Sequence, residues 1–502
     1  MPPSFGAVSR VRRSGVAAVL VVVALVLASC GVDAGSGAQG AGGKHPGGDG
    51  RVIGADTATT TSTTEPATTT TTAPPANVDV QGDDGSATNA TVANAIADLQ
   101  AWWGKEFPRI YDKPYRPVDG GFYATDKASV SSSLPCAPDD PTQVLDNAYY
   151  CPADDAVVWD QAGLMPRLAD SFGDFAPAVV IAHEWGHAIQ ARSNFDAPTI
   201  IFEQQADCFA GAWVRHVRTD PTRFQVTTGD LDQALAGFLS LRDAPGSQAT
   251  DPNAHGSGFD RVRAFQEGYE DGTDRCAEYR DGDPKPFQFP FVDETDQSSK
   301  GDLPLHSSTQ GGILDLVFGS LDFYWTKAFP ELGNGQKWDP LGDPVSFTSS
   351  NPPTCGGKTV HDVDLFVCEA DRYLGYQEGT TITDVYDQGG DFAVATLIAT
   401  KYGLDAEAQL GDLPSDVTAG LRADCYAGSW AESLLPDRTT DTRTENITLS
   451  PGDLDEAVGV LLSFRSKADR AQEGPGFDRV RAFRIGVIDG AVACAAVKKT
   501  SG

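Results

Sequence analysis

The sequence predicts an α+β fold, mostly helical with a small sheet, duplicated in tandem. Three observations carry that expectation. First, apolar stripes of helical period dominate, and the clearest strand-like runs are two short ones, Ala148-Tyr149-Tyr150-Cys151 and Ala156-Val157-Val158-Trp159. Second, Gln205-Ala206-Asp207-Cys208-Phe209-Ala210-Gly211-Ala212-Trp213 returns as Arg422-Ala423-Asp424-Cys425-Tyr426-Ala427-Gly428-Ser429-Trp430. Gly258-Phe259-Asp260-Arg261-Val262-Arg263-Ala264-Phe265 likewise returns unchanged from Gly476 to Phe483. Third, Cys136, Cys151, Cys208 and Cys276 are echoed by Cys355, Cys368, Cys425 and Cys494. The repeat steps by 217 positions from Asp207 to Asp424 and by 223 from Gly229 to Gly452. Two units of about 200 residues follow, placed at 88–290 and 305–498 and joined by a stretch rich in Pro and Asp.

Taken in order, residues 1–29 read as a targeting segment. Arg10, Arg12 and Arg13 precede an apolar run over 16–27 that is short for a membrane span. The run ends Leu27-Ala28-Ser29-Cys30-Gly31, which is similar to a bacterial lipobox. That similarity implies cleavage before Cys30 and a lipid anchor on its sulfur, with the protein facing the extracytoplasmic side of a membrane. Residues 30–87 are rich in Gly, Thr and Pro, lack apolar periodicity and read as a disordered tether. As a random chain, about 55 residues reach roughly 40 Å. Export to an oxidising compartment makes the other eight cysteines candidates for disulfides. Four per unit allow three connectivities; Cys136–Cys151 with Cys208–Cys276, and Cys355–Cys368 with Cys425–Cys494, are favoured because one link closes a short loop and the other ties two helices. No C-x-x-C spacing supports metal binding by them.

Beyond the tether, 92–105 reads as an amphipathic helix, echoed near Trp325 and Phe329. An apolar run over 175–189 reads as a buried helix, with Asp174 as N-cap, Pro177 in the first turn and a stop near Ser193-Asn194. Pro198 opens a further helix to about 217. Helices are also expected over 231–241 and 259–278.

The buried helix contains His183-Glu184-Trp185-Gly186-His187. Helix positions i and i+4 share a face, so His183 and His187 can bind one zinc ion together. Glu184 then lies beside the metal as general base. A catalytic zinc takes three protein ligands, and Glu203 on the next helix can be the third. Asp207, one turn further, could accept a hydrogen bond from the nitrogen of a ligating histidine that faces away from the metal. With only seven histidines in 502 residues, this spacing is an informative coincidence.

His-Glu-Trp-Gly-His followed by Glu203-Gln204-Gln205-Ala206-Asp207-Cys208-Phe209-Ala210-Gly211 resembles the bacterial neutral zinc metallopeptidases, zincins of the glutamate-ligand kind. The likeness extends to Tyr150-Cys151-Pro152, His255-Gly256-Ser257 and the helix from Arg261. It implies a zincin-like fold whose edge strand aligns an extended peptide above the metal, and it implies peptide-bond hydrolysis, most simply by an endopeptidase.

The second unit acts as an internal control. At the motif positions it has Thr400, Lys401 and Leu404, and Gly420 stands for Glu203, whereas Asp424, Cys425 and Trp430 persist. Residues confined to the first unit are therefore the candidates for chemistry, and the persistence of Asp424 draws Asp207 toward a packing role. The same comparison promotes His255, whose counterpart is near Glu473, as a donor to the oxyanion of the tetrahedral intermediate. His216 reads as a surface residue, and Tyr149 and Tyr150 as strand packing. A formal charge of −32 argues against nucleic acid as a partner. The expected partner is a peptide or protein substrate. Rival readings are a non-catalytic surface binding protein and a zinc amidase acting on a cell-wall substrate.

Overall fold

The computed structural model describes residues 73–74, 76–247, 254–287, 289, 302–411, 414, 416–435, 447–464 and 473–500. The targeting segment, Cys30 and most of the expected tether lie outside them. The chain takes up structure earlier than its composition suggests. Strand β1 (Val80–Gln81) lies inside the expected tether, and Gln161 secures the residues just after it, donating to the Gly82 carbonyl (2.9 Å) and accepting from the Asp84 N–H (3.2 Å).

Helix α1 (Ala87–Tyr111) exceeds the predicted 92–105 at both ends. Ser86 caps its start by accepting from the Asn89 N–H, and Asp112 ends it in the left-handed region. Three further strands follow: β2 (Phe122–Thr125), β3 (Ala148–Cys151) and β4 (Ala156–Asp160). The sheet order is β1-β2-β4-β3, with β3 antiparallel at one edge and the other pairings parallel. The sequence pattern identified β3 and β4 but not β2.

Helix α2 (Leu164–Phe172) leads into α3 (Ala176–Ser193). Apolar or small on nearly every side, α3 packs against α1, α2, α4, α5 and β3, as expected for a helix inside a core. Pro177 lies in its first turn and Asn194 closes it at φ 61°. Asp174 is not its cap: the helix starts after Phe175, and Asp174 is exposed. Three more helices complete this half: α4 (Thr199–Thr219), α5 (Thr228–Ser240) and α6 (Gly258–Ala277), the last bent at Gly272. Thr227 and Asp230 form a reciprocal cap at the start of α5.

The described second half contains α7 (Ile313–Leu332), β5 (Val345–Ser346), β6 (Thr354–Cys355), β7 (Lys358–Thr359), β8 (Leu365–Cys368) and β9 (Tyr373–Tyr376). Helices α8 (Thr383–Gly389), α9 (Asp391–Leu410), α10 (Val417–Ser433), α11 (Asp453–Ser463) and α12 (Gly476–Asp489) follow. Many contacts of the first half recur here. Phe175 stacks on Trp213 and Phe392 on Trp430. The Trp213 indole donates to Asp98, and that of Trp430 to Ser320. The disulfides are Cys136–Cys151, Cys208–Cys276, Cys355–Cys368 and Cys425–Cys494, the favoured connectivity.

The halves meet along α5 and α6 against α11 and α12, and one apolar core runs through both. The polar bonds across this junction are reciprocal. Asp455 accepts from the Phe259 N–H (2.7 Å), while Asp232 accepts from the N–H groups of Gly476 (2.8 Å) and Phe477 (2.7 Å). No helix among the described residues is long and apolar enough to cross a membrane.

Two close helix approaches make a direct prediction. A Cβ on Gly211 would overlap the Phe265 carbonyl oxygen, and one on Gly428 would overlap that of Phe483. Gly211→Ala and Gly428→Ala should each lower stability by roughly 1–3 kcal/mol, because α4 must move off α6 and α10 off α12. Denaturant midpoints measure the effect.

Candidate active site

Helices α3 and α4 cross where side chains are smallest. A Cβ on Gly186 would lie 2.6 Å from the Ala206 Cα, so the backbones nearly touch. His183 and His187 flank Gly186, and Glu203 lies one turn before Ala206, so the crossing presses all three together. His183 Nε2 is 3.3 Å from Glu203 Oε2, and His187 Nε2 is 3.5 Å from Glu203 Oε1. These three residues form a group able to hold a metal ion.

The donor set suits zinc. Ligands about 2.0–2.1 Å from a tetrahedral ion sit roughly 3.3 Å apart, close to both separations. His187 Nε2 and Glu203 Oε2 are buried without a hydrogen-bond partner, an arrangement that costs free energy unless something else binds them. Burial raises the Glu203 carboxyl, but His187 and His183 outweigh it and hold it well below the usual carboxylate range.

Each histidine is oriented through its other nitrogen. His183 Nδ1 is 2.7 Å from Asp207 Oδ1, and His187 Nδ1 is 2.8 Å from Gln190 Oε1. Gln190 is held in turn by donating to the Phe202 carbonyl (2.6 Å). Asp207 also receives the Arg261 guanidinium through Nε and Nη2, both at 2.9 Å. Burial raises the Asp207 carboxyl, and Arg261 and His183 together bring it below the usual range. Asp424 and Arg479 make the same fork at 2.9 and 3.0 Å where no histidine is present. The orienting role and the packing role weighed for Asp207 are thus met by one carboxylate.

Glu184 is buried beside this group, and its Oε2 accepts from the Tyr150 N–H on edge strand β3 (3.1 Å). Burial pushes its carboxyl up, offset in part by the two histidines. An open cavity is lined by His183, Glu184, His187, Glu203, His255 and, from the edge-strand side, Asn147 and Ala148.

His255 reaches the same cavity. Asp243 holds it, with Oδ2 accepting the His255 and Gly256 N–H groups (2.9 and 2.8 Å) and Oδ1 lying 3.2 Å from Nδ1. Burial raises the Asp243 carboxyl, and these donors outweigh it and lower it overall. His216 is elsewhere and is not simply a surface residue: it is half-buried, stacked on Trp102 with ring centroids 5.3 Å apart. The Tyr149 hydroxyl donates to the Pro135 carbonyl and that of Tyr150 to Asp155, which fits strand packing.

Sequence reasoning did not single out Gln190, Asp243 or Arg261 as site residues. Arg261 carried a usable signal, since Asp207 and Arg261 recur as the pair Asp424 and Arg479. Gln190, three residues after His187, lies on the same helix face. Asp243 carried none.

Residues 31–279 match the family model described as "Putative neutral zinc metallopeptidase". The chain is 26% identical over 204 residues to the uncharacterized protein YpfJ of Escherichia coli K12, covering 35% of this chain and 66% of that protein. It is 30% identical over 201 residues to the uncharacterized protein Rv2575 of Mycobacterium tuberculosis, covering 35% and 64%. The chain thus spans just under two thirds of the length of these relatives. No solved structure matches it.

Asp207→Asn should weaken zinc binding about 10–100-fold, read by competition with a chromogenic chelator. Asp424→Asn, at the corresponding fork of the second half, should leave zinc affinity unchanged and lower only stability.

Proposed function

We propose that the chain, whose residues 31–279 match the neutral zinc metallopeptidase family model, hydrolyses peptide bonds using one zinc ion held by His183, His187 and Glu203. The convergence of these three donors beside buried Glu184 carries the reading. When bound there, zinc supplies Lewis acidity, favouring proton loss from water and drawing electron density from a carbonyl oxygen.

The remaining work falls to the protein's own groups. Glu184 takes the proton of the attacking water and returns it to the departing amine. The elevation of its carboxyl by burial suits a group that must both accept and release a proton. The edge of β3 at Ala148 pairs with an extended substrate backbone, as strand addition to an open sheet edge requires. His255, held in place by Asp243, donates a hydrogen bond from its ring to the developing oxyanion. A cavity open to solvent supports cleavage within a peptide chain, as by an endopeptidase.

On this reading, 305–498 is a degenerate copy lacking these zinc ligands, since Thr400, Lys401, Leu404 and Gly420 occupy the motif positions. The basic and apolar leader and Cys30 support a lipid-anchored protein on the extracytoplasmic face.

Glu184→Gln should bind zinc normally yet lose about 10²–10⁴-fold in kcat on peptides selected from an unbiased library. Equal turnover by this variant and the wild type would overturn the assignment. His255→Ala should keep its zinc stoichiometry and lose about 10²–10³-fold in kcat. Stripping the metal should abolish turnover, and zinc restored to about 100 times its Kd should return roughly 2.7 kcal/mol of stability.

A further inference from the structure

We propose that Asp455, a carboxylate of the second half, is a positioning residue for the active site of the first half, clasping both ends of the segment that carries His255. The segment leaves α5 at Arg242 and enters α6 at Phe259. Asp455 holds both points, with Oδ2 3.1 Å from Arg242 Nε and Oδ1 accepting the Phe259 N–H at 2.7 Å. Asp243, next to Arg242, carries His255. The second half touches the same segment once more, where Gly452 faces Pro245: a Cβ there would lie 3.2 Å from the proline Cγ.

The clasp also bears on the metal-binding side. The first turn of α6 leads directly to Arg261, which donates to the Leu241 carbonyl (2.7 Å) and forks onto Asp207, the partner of His183. Asp455 is only 5% exposed. A carboxylate so buried persists when strong donors compensate it; here they are a guanidinium and an amide at a helix N-terminus. Moving it would free the entry to α6 and the exit from α5 together.

The reciprocal bond provides the control. Asp232 caps α12 as Asp455 caps α6, but the segment it steadies has Glu473 where the first half has His255. Loss of Asp232 therefore damages the same junction from the opposite side without releasing the His255 segment.

The test compares full-length wild type with Asp455→Ala, Asp455→Asn and Asp232→Ala. It measures kcat and KM on a peptide the wild type cleaves, bound zinc, and amide hydrogen exchange. Asp455→Ala should lower kcat about 10–100-fold with KM and zinc stoichiometry nearly unchanged, and should speed exchange over residues 254–262. Asp455→Asn, which keeps one acceptor, should recover part of kcat; it also decides the matter if the alanine variant does not fold. Asp232→Ala should leave kcat within about twofold and speed exchange at residues 476–480 instead, since no site residue depends on that cap. Equal kcat losses in Asp455→Ala and Asp232→Ala would overturn the proposal, as would wild-type kcat in Asp455→Ala. The proposal rests on the peptidase reading, and the two fail separately. If the wild type cleaves no peptide, the peptidase reading falls, while exchange over 254–262 still decides the clasp: faster exchange in Asp455→Ala alone supports it, and unchanged exchange overturns it.

Discussion

The buried fork between Arg261 and Asp207 is the interaction on which the rest of the structure depends. Desolvating two opposite charges costs several kcal/mol per ion, recovered only when geometry is good and the remaining hydrogen-bonding positions are filled. Here they are filled: Asp207 receives two guanidinium nitrogens and faces His183, while Arg261 also reaches the Leu241 carbonyl. The pair ties α6 to α4, and the same carboxylate sets the ring of His183. Because Arg479 and Asp424 repeat the fork without a histidine, its first task is architectural. The site inherits its stiffness from that architecture.

A second constraint works by absence of bulk. Gly186 against Ala206, Gly211 against the Phe265 carbonyl and Gly268 against the Cys208 carbonyl let three helices approach until backbone meets backbone. Glu203 is short for a ligand that must reach from another helix, and only this spacing puts its oxygens 3.3 and 3.5 Å from the histidine nitrogens. The Cys208–Cys276 bond links the same α4 and α6 pair covalently. The glycine inside His-Glu-Trp-Gly-His is thus a packing residue embedded in the motif, and Gly403 packs against Ala423 in the same way in the second half.

The junction of the two halves gives the motif-free half a physical task without requiring chemistry of it. Its core is continuous with that of the first half, and each half supplies an aspartate to the helix start of the other. The runs Gly229-Asp230-Leu231-Asp232 and Gly452-Asp453-Leu454-Asp455 serve two purposes. Asp230 and Asp453 accept from the backbone N–H three residues earlier, at Thr227 and Ser450, while Asp232 and Asp455 reach across.

Much of this protein was legible in one dimension. His183, Glu184 and His187 follow from helical period, Glu203 from the run that opens α4, and the disulfide pairs from the loops they close, because each depends on short-range spacing or on a residue type with few uses. Helices α3, α4 and α6 were placed nearly to their ends, whereas α1 runs further at both; β1, β2 and the short strands of the second half were not placed. The tertiary structure alone decided that Asp207 serves packing and orientation at once, that Asp243 holds His255, and that Asp455 lies against the first half at all. Those partners are separated by 24, 12 and 196 residues. No local pattern encodes such meetings, because they arise only when helices close on one another and buried polar groups must find whatever partner the packing has brought within reach.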